Sequence, residues 1–299
     1  ISFVLARLLM DNNQSKTAEP IIDKLLSVNS EHVLLNQLKS LARFNEQDTK
    51  QALAFAEKSL TSSPTSLPTR LIAGVSAYTD KDFTKAHQHL SFIAEQLPTN
   101  HPALRILASS QLALGLSIDA SETMNKLDIL TPEDNNLISS IGMALIPQGE
   151  NEKVKSIINK VSQENISTEA LAKLGLLKLS IHDVSGITNL EDALEKVLKE
   201  EPSDNTLKAK QDVEIVLATA YLSTRQYNKA LALAKKIQNE QPDSIRGEML
   251  AAKVNIQLKS FDEAKAFYNL ALAKQPNNPE IKLALIKLQL TKTDQNKKQ

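Results

Sequence analysis

Along most of the chain, apolar residues recur at helical spacing in paired stripes separated by short polar turns. In residues 67–100 one stripe runs Leu67, Leu71, Gly74, Val75 and Tyr78; the turn TDKD follows, and a second stripe runs Phe83, Ala86, Leu90 and Ile93. Residues three and four apart share one face of a helix, so each pair of stripes predicts two amphipathic helices folded into a hairpin. The stretch from Ser260 to Glu280, SFDEAKAFYNLALAKQPNNPE, reads as the second half of such a hairpin, stopped at a proline and followed by a new start.

The hairpins repeat. Pro64, Pro98 and Pro132 are 34 residues apart, Pro242 and Pro276 keep that spacing, and Pro202 lies 40 before Pro242, which implies a six-residue insertion. Ala18, Ala52, Ala86 and Ala120 share one phase, as do Ala230 and Ala264, while Gly74, Ala108, Gly142, Gly175, Ala218 and Ala252 supply a small residue eight positions into each unit. Fixed periods of this size are left by stacked supersecondary units, and small residues at fixed positions let helices approach closely. Proline ends each second helix, because it cannot donate the i→i−4 bond and turns the residue before it away from α.

This period gives an all-α chain with one array over residues 1–290. Its units fall near 1–32, 33–66, 67–100, 101–134, 135–167, 168–208, 211–244 and 245–278, with a capping helix at 279–290 and a disordered tail at 291–299. The stretch 135–208 is the least regular, with Ile166 where proline is expected.

Proline at the unit's end, alanine at its twentieth position, a small residue at the eighth, and the aromatic residues Tyr221, Phe83, Tyr227, Phe261 and Tyr268 together resemble the tetratricopeptide repeat (TPR) family over nearly the whole chain. The family's tryptophan at the fourth position is absent throughout. The resemblance implies a right-handed α-solenoid of about eight TPR-type hairpins that acts by binding protein partners. A finer resemblance covers the stretch from Thr69 to Gly115 and that from Leu171 to Leu198, and rests on Leu174-Gly175 and on Gly186-Ile187-x-x-Leu190. These are similar to the long TPR lipoproteins that accompany bacterial exosortase (PEP-CTERM) sorting systems, often beside exopolysaccharide export genes. That likeness implies a periplasmic or envelope-anchored setting in a Gram-negative bacterium, with a lipid anchor outside this stretch; a cytoplasmic setting is the alternative.

Composition supports the helical reading and narrows function. Ala, Leu, Lys, Gln and Glu dominate and aromatics are 4% of residues, the balance of helices packed on helices. Thirty-five basic residues match thirty-five acidic ones, so no global field would draw the chain to nucleic acid or to an anionic membrane. With no cysteine there is no disulfide, thiolate metal site or cysteine nucleophile, which suits either compartment. No apolar run approaches the roughly 18 residues of a membrane span, and the start at Ile1 reads as a soluble piece of a longer protein.

Motifs for chemistry are missing. His87 and His89 are two apart, on different faces of a helix, whereas a metal pair needs i and i+4; both read as partly exposed helix residues. His32, His101 and His182 sit near unit junctions or turns, where roles as caps and surface polar residues explain them. No phosphate-binding glycine loop or nucleophile elbow occurs, so no catalytic residue, metal site or cofactor is expected.

Binding remains. In stacked hairpins the first helices line a groove, and unit positions 2, 5, 9 and 12 point into it. These give Arg7, Gln37, Leu41, Phe44, Leu71, Val75, Tyr78, Arg105, Met143, Arg246, Met249 and Lys253 as candidate contacts for a protein or peptide segment. Leu41, Phe44, Leu71, Val75 and Tyr78 form an apolar strip that either meets a partner or packs against neighbouring helices. For Arg105, Arg246 and Lys253, ordinary solvated charge is the favoured account. The carboxylate clamp of chaperone adaptors needs Lys at position 5 and Asn at position 9 of one unit; no unit has that pair.

Overall fold

The computed structural model describes residues 1–162 and 165–296. The described residues are helical, with α1 (Ser2–Asp11), α2 (Ser15–Val28), α3 (Val33–Asn45), α4 (Thr49–Leu60), α5 (Leu67–Thr79), α6 (Phe83–Ile93), α7 (Pro102–Ala113), α8 (Ser117–Asn125), α9 (Asn135–Leu145) and α10 (Asn151–Lys160). Then follow α11 (Thr168–Ser180), α12 (Gly186–Val197), α13 (Asp204–Ser223), α14 (Tyr227–Glu240), α15 (Arg246–Gln257), α16 (Phe261–Lys274) and α17 (Pro279–Asn296), with single 3-10 turns at Ala94–Gln96, Pro132–Asp134 and Ile146–Gln148. Two compact units result, Ile1–Asn165 and Ile166–Gln299. The first holds five hairpins, from α1–α2 to α9–α10; the second holds three, α11–α12, α13–α14 and α15–α16, followed by α17. Within each unit, every helix packs on the next, and the first helix of each hairpin touches the first helix of the following one. This is the α-solenoid that the 34-residue period predicts.

The turn inside each hairpin has one construction. Asn13, Gln47, Lys81, Gly115, Gly149, His182, Arg225 and Lys259 all have positive φ, between 59° and 78°. At Lys81 the following N–H, of Asp82, bonds back to Ala77 O at 2.8 Å, a Schellman closure of the first helix. Asp82 then caps the second, its carboxylate accepting from Lys85 N at 3.0 Å. One short turn therefore both ends α5 and starts α6, and Asp48 does the same for α4. Two of the three turn histidines cap helices at unit junctions, His32 Nδ1 accepting from Leu35 N and His101 Nδ1 from Ala103 N, whereas His182 takes the left-handed position between α11 and α12.

Six of these eight left-handed residues carry a side chain, which costs about 1 kcal/mol relative to glycine at such an angle. Lys81→Gly is accordingly expected to raise stability by about 0.5–1 kcal/mol. Urea unfolding reads this directly, and a lowered midpoint would mean that the flexibility glycine adds to the unfolded chain outweighs the relieved strain.

Close approach explains the small residues. Ala18, Ala52, Ala86, Ala120, Ala230 and Ala264 are each 0% exposed, so no larger side chain fits without moving a helix. A Cβ on Gly74 would stand 2.5 Å from Leu90 Cγ, and one on Gly175 would stand 2.7 Å from Gly186 O. The second contact brings α11 and α12 together backbone to backbone.

Two regions differ in detail from the spacing. The six residues inserted before Pro242 lengthen α13, which runs 20 residues where the first helices of other hairpins run 10 to 13. At the end of the chain α17 reaches Asn296, past the 279–290 of the expected capping helix; of the tail expected at 291–299, residues 297–299 lie outside the described residues.

Candidate functional site

In the first unit the apolar strip is half-buried. Leu41, Phe44 and Tyr78 pack against the core cluster built from Ala52, Leu53, Ala56, Ile72 and Ala73, and the Tyr78 ring lies 5.8 Å from that of Phe83. Leu71, Val75, Gln37 and Met143 are half-buried too, while Arg7 is exposed and pairs loosely with Asp11 at 3.9 Å.

Arg105 is not ordinary solvated charge. Its Nε donates to Asp134 Oδ1 at 2.7 Å and its Nη2 to Asp134 Oδ2 at 2.9 Å and to Ile129 O at 3.1 Å. Asp134 is 5% exposed and also accepts from Thr131 N. Burial alone would raise the Asp134 pKa, but Arg105 and Thr131 outweigh it and hold the carboxyl below the usual range. The fork geometry ties α7 to the 3-10 turn ahead of α9, a register contact that a point charge could not supply.

His89 also departs from expectation: it is 5% exposed, not a partly exposed surface residue. Its Nδ1 lies 3.3 Å from Arg70 Nη1 on α5, its Nε2 lies 3.7 Å from Glu57 on α4, and Lys85 on its own helix pairs with the same Glu57. Burial first, then Arg70, hold the imidazole pKa below its ordinary value, while Glu57 pulls the other way. A depressed pKa contributes stability that is full above the unfolded-state value and is lost as pH falls through the folded one. Between pH 7 and pH 5 the melting temperature should therefore fall more for the natural chain than for His89→Gln; parallel curves would refute this role.

In the second unit the sequence arithmetic converges on one place. Arg246, Met249 and Lys253 of α15 line a cavity of about 400 Å³ together with Ile215, Ala218, Thr219 and Leu222 of α13. Met249 is a buried wall, Lys253 is exposed, and Ile215 is 55% exposed at the mouth. Arg246 Nη2 donates to Gln211 O at 3.0 Å and forms an ion pair at 3.1 Å with Glu214 Oε2, without a hydrogen-bonding angle. Here again, solvated charge fails as the account.

Glu214 is the residue that position counting missed. It occupies the fourth position of its unit, as Glu248 does 34 residues later, where a family tryptophan would stand, and both are buried. Each has its cation: Arg246 for Glu214, and Lys274 at 2.6 Å for Glu248. An acid repeating inside an apolar stripe was the available signal. Burial pushes the Glu214 carboxyl up, against the pull of Arg246 and Lys210.

Comparison with known proteins follows this geometry. Residues 187–270 match the model of the family described as anaphase-promoting complex, cyclosome, subunit 3. The structure of Naa15/Naa10 bound to HypK-THB is similar over 96% of this chain and 43% of that one, at 18% identity and a TM-score of 0.54. Both units are stacked helical hairpins, the α-solenoid fold that this similarity supports. A TPR protein from Parabacteroides merdae aligns over 86% of this chain and 98% of its own, at 16% identity and a TM-score of 0.46. The Cut9-Hcn1 hetero-tetramer of APC/C aligns over 96% and 55%, at 17% identity and a TM-score of 0.43. The chain thus spans about half or less of two of these structures. No curated protein matches it.

Among the described residues no group of three or more His, Asp or Glu side chains could hold a metal ion, and no helix is long and apolar enough to cross a membrane.

Proposed function

We propose that the chain is a non-catalytic scaffold whose first-helix face holds a segment of a partner protein. The cavity between α13 and α15 carries this reading: three of the residues named by position line it, its walls include Ile215, Ala218, Leu222 and Met249, and Thr219, Lys253 and Glu280 supply polar groups at its exposed rim. Peptide sites combine these features, since apolar walls supply affinity and a few placed polar groups supply orientation. The strip of Leu41, Phe44, Leu71, Val75 and Tyr78 is a second contact surface in the first unit. An envelope setting linked to exopolysaccharide export and exosortase sorting is supported by the likeness of the Gly175 and Gly186 phrases to TPR lipoproteins; the alternative is a sensor arm of a larger cytosolic protein.

Selection of a random dodecapeptide display library on the immobilised chain tests the binding reading. Peptides should be enriched on the natural chain and lost on Ile215→Arg, a surface change that spares the fold. Leu71→Arg in parallel reports on the strip. No enrichment, or enrichment that survives both substitutions, refutes the groove.

A further inference from the structure

Helix α17 is apolar on two sides. Ile281, Ala284, Leu285 and Leu288 pack into the core cluster shared with α15 and α16, and Ile281 and Leu288 are buried there. Leu283, Ile286 and Leu290 are 51%, 55% and 62% exposed. At roughly 3.6 residues per turn the two stripes run along opposite sides of the helix. A helix that closes a stack of repeats ordinarily turns a polar face to water. Three exposed aliphatic residues in one row mark a contact surface instead.

The charges around the stripe narrow what covers it. Lys282 and Lys287 are exposed and fall about 70° to either side of its midline. From there their stems can lie along an apolar surface while the ammonium groups stay in a polar layer. Glu280, the acid of residues 279–290, stands at the helix start beside the cavity between α13 and α15. Residues 279–299 carry five lysines against two acids, and residues 229–299 carry thirteen basic residues against seven acidic ones, a local excess that the neutral total conceals and that favours a negatively charged partner. A second copy of α17 would set lysine flanks against lysine flanks, which repel. A further repeat helix fits poorly as well. Ile286 takes the unit position of buried Ala252 and of Gly74, where even a Cβ would stand 2.5 Å from Leu90 of the second helix, so isoleucine there holds a second helix off.

We propose that α17 docks the chain on an anionic lipid surface. The helix lies in the plane of the bilayer interface, with Leu283, Ile286 and Leu290 among the upper acyl chains and Lys282 and Lys287 against headgroup phosphates. Interfacial helices bind in this way, a narrow apolar face and its flanking lysines acting together. Nothing has to cross the bilayer, because the opposite face of α17 stays in the stack. The attachment is reversible, since even a single myristoyl chain holds a protein to a bilayer only marginally. The groove between α13 and α15 plays no part in this contact.

The test is flotation of the full 299-residue chain with phosphatidylcholine vesicles, with and without about 30% phosphatidylglycerol. The chain should float with the anionic vesicles, bind the neutral ones about tenfold more weakly, and be largely released by about 1 M salt. Lys282→Gln and Lys287→Gln should each weaken binding about fivefold, and Leu283→Gln combined with Ile286→Gln about tenfold or more. All four residues are exposed, so helical circular dichroism should be unchanged. Ile129→Gln removes an apolar residue that is 65% exposed in the first unit and should bind as the natural chain does. No flotation with anionic vesicles, equal flotation with neutral ones, or binding that survives Leu283→Gln with Ile286→Gln overturns the proposal. A dimer in sedimentation equilibrium that Ile286→Gln dissociates overturns it in favour of a second copy.

Discussion

Gly186→Ala is expected to destabilise residues 166–299 by about 3 kcal/mol, the upper range for overpacking a tight contact. Alanine is the better helix former by roughly 1 kcal/mol, so propensity alone predicts the opposite sign. The contact decides it: a methyl on Gly186 would strike the Gly175 carbonyl oxygen and also stand 3.0 Å from Leu179 Cγ and Lys178 Cβ. A flexible side chain can move aside, whereas a helix carbonyl moves only with its helix, so α11 and α12 must separate. Gly115→Ala serves as the comparison, because its φ is +78° and nothing lies within 4 Å of an added Cβ; there only backbone strain, about 1 kcal/mol, is expected. Urea unfolding of both variants gives the ranking, and an equal or reversed order would refute the carbonyl contact as the constraint.

Asp134→Ala is the second large effect, also about 3 kcal/mol, because it leaves the Arg105 fork without its carboxylate in a partly buried site. Thr131 N loses its acceptor as well. Arg105→Ala should cost nearly as much, since Asp134 is the more buried partner and would be left charged; the double variant should cost clearly less than the sum. A neutral Arg105→Ala would return that residue to the solvated class. The pH dependence has a fixed sign: the folded pKa of Asp134 is depressed, so its stability is present above the ordinary carboxylate range and is lost as pH falls through the folded value. The gap in melting temperature between Asp134→Ala and the natural chain should therefore be widest at pH 7 and narrow as pH falls towards 3.

Both results bear on what a stack of repeats requires. Each hairpin contacts mainly its neighbours, so one fault at α11–α12 or at the turn ahead of α9 loosens its own unit before the other. Amide exchange on Gly186→Ala should rise first in α11 and α12.

Much of the architecture was legible because a repeat announces itself many times. The alanine phase marked buried helix faces, and every one of those six residues is fully buried; the proline phase marked hairpin ends. The turns were only half legible. Gly115 and Gly149 stood out, whereas Asn13, Gln47, Lys81, His182, Arg225 and Lys259 adopt the same left-handed angle with ordinary side chains. Their conformation follows from the Schellman closure and the next helix's cap together, which no single residue type reveals.

The Leu174-Gly175 and Gly186-Ile187 phrases, read from sequence as a family likeness, have a physical basis of their own in the α11–α12 contact. Position counting grouped Arg246, Met249 and Lys253, which line one cavity, but described Arg246 as solvated charge. It could not show that Glu214 lies behind it, because a buried acid and an exposed one are the same letter.

By itself, then, the sequence determined the helical hairpins, their 34-residue period, the small positions between helices and the absence of catalytic motifs. Those properties are set locally, by side-chain periodicity and backbone chemistry within about one unit. Which charges are buried, which find partners and which remain unsatisfied was decided by the tertiary structure alone. Arg105 meets Asp134 across 29 residues and Arg246 meets Glu214 across 32, and desolvation of such pairs depends on how neighbouring hairpins close over them, not on the residues in either hairpin.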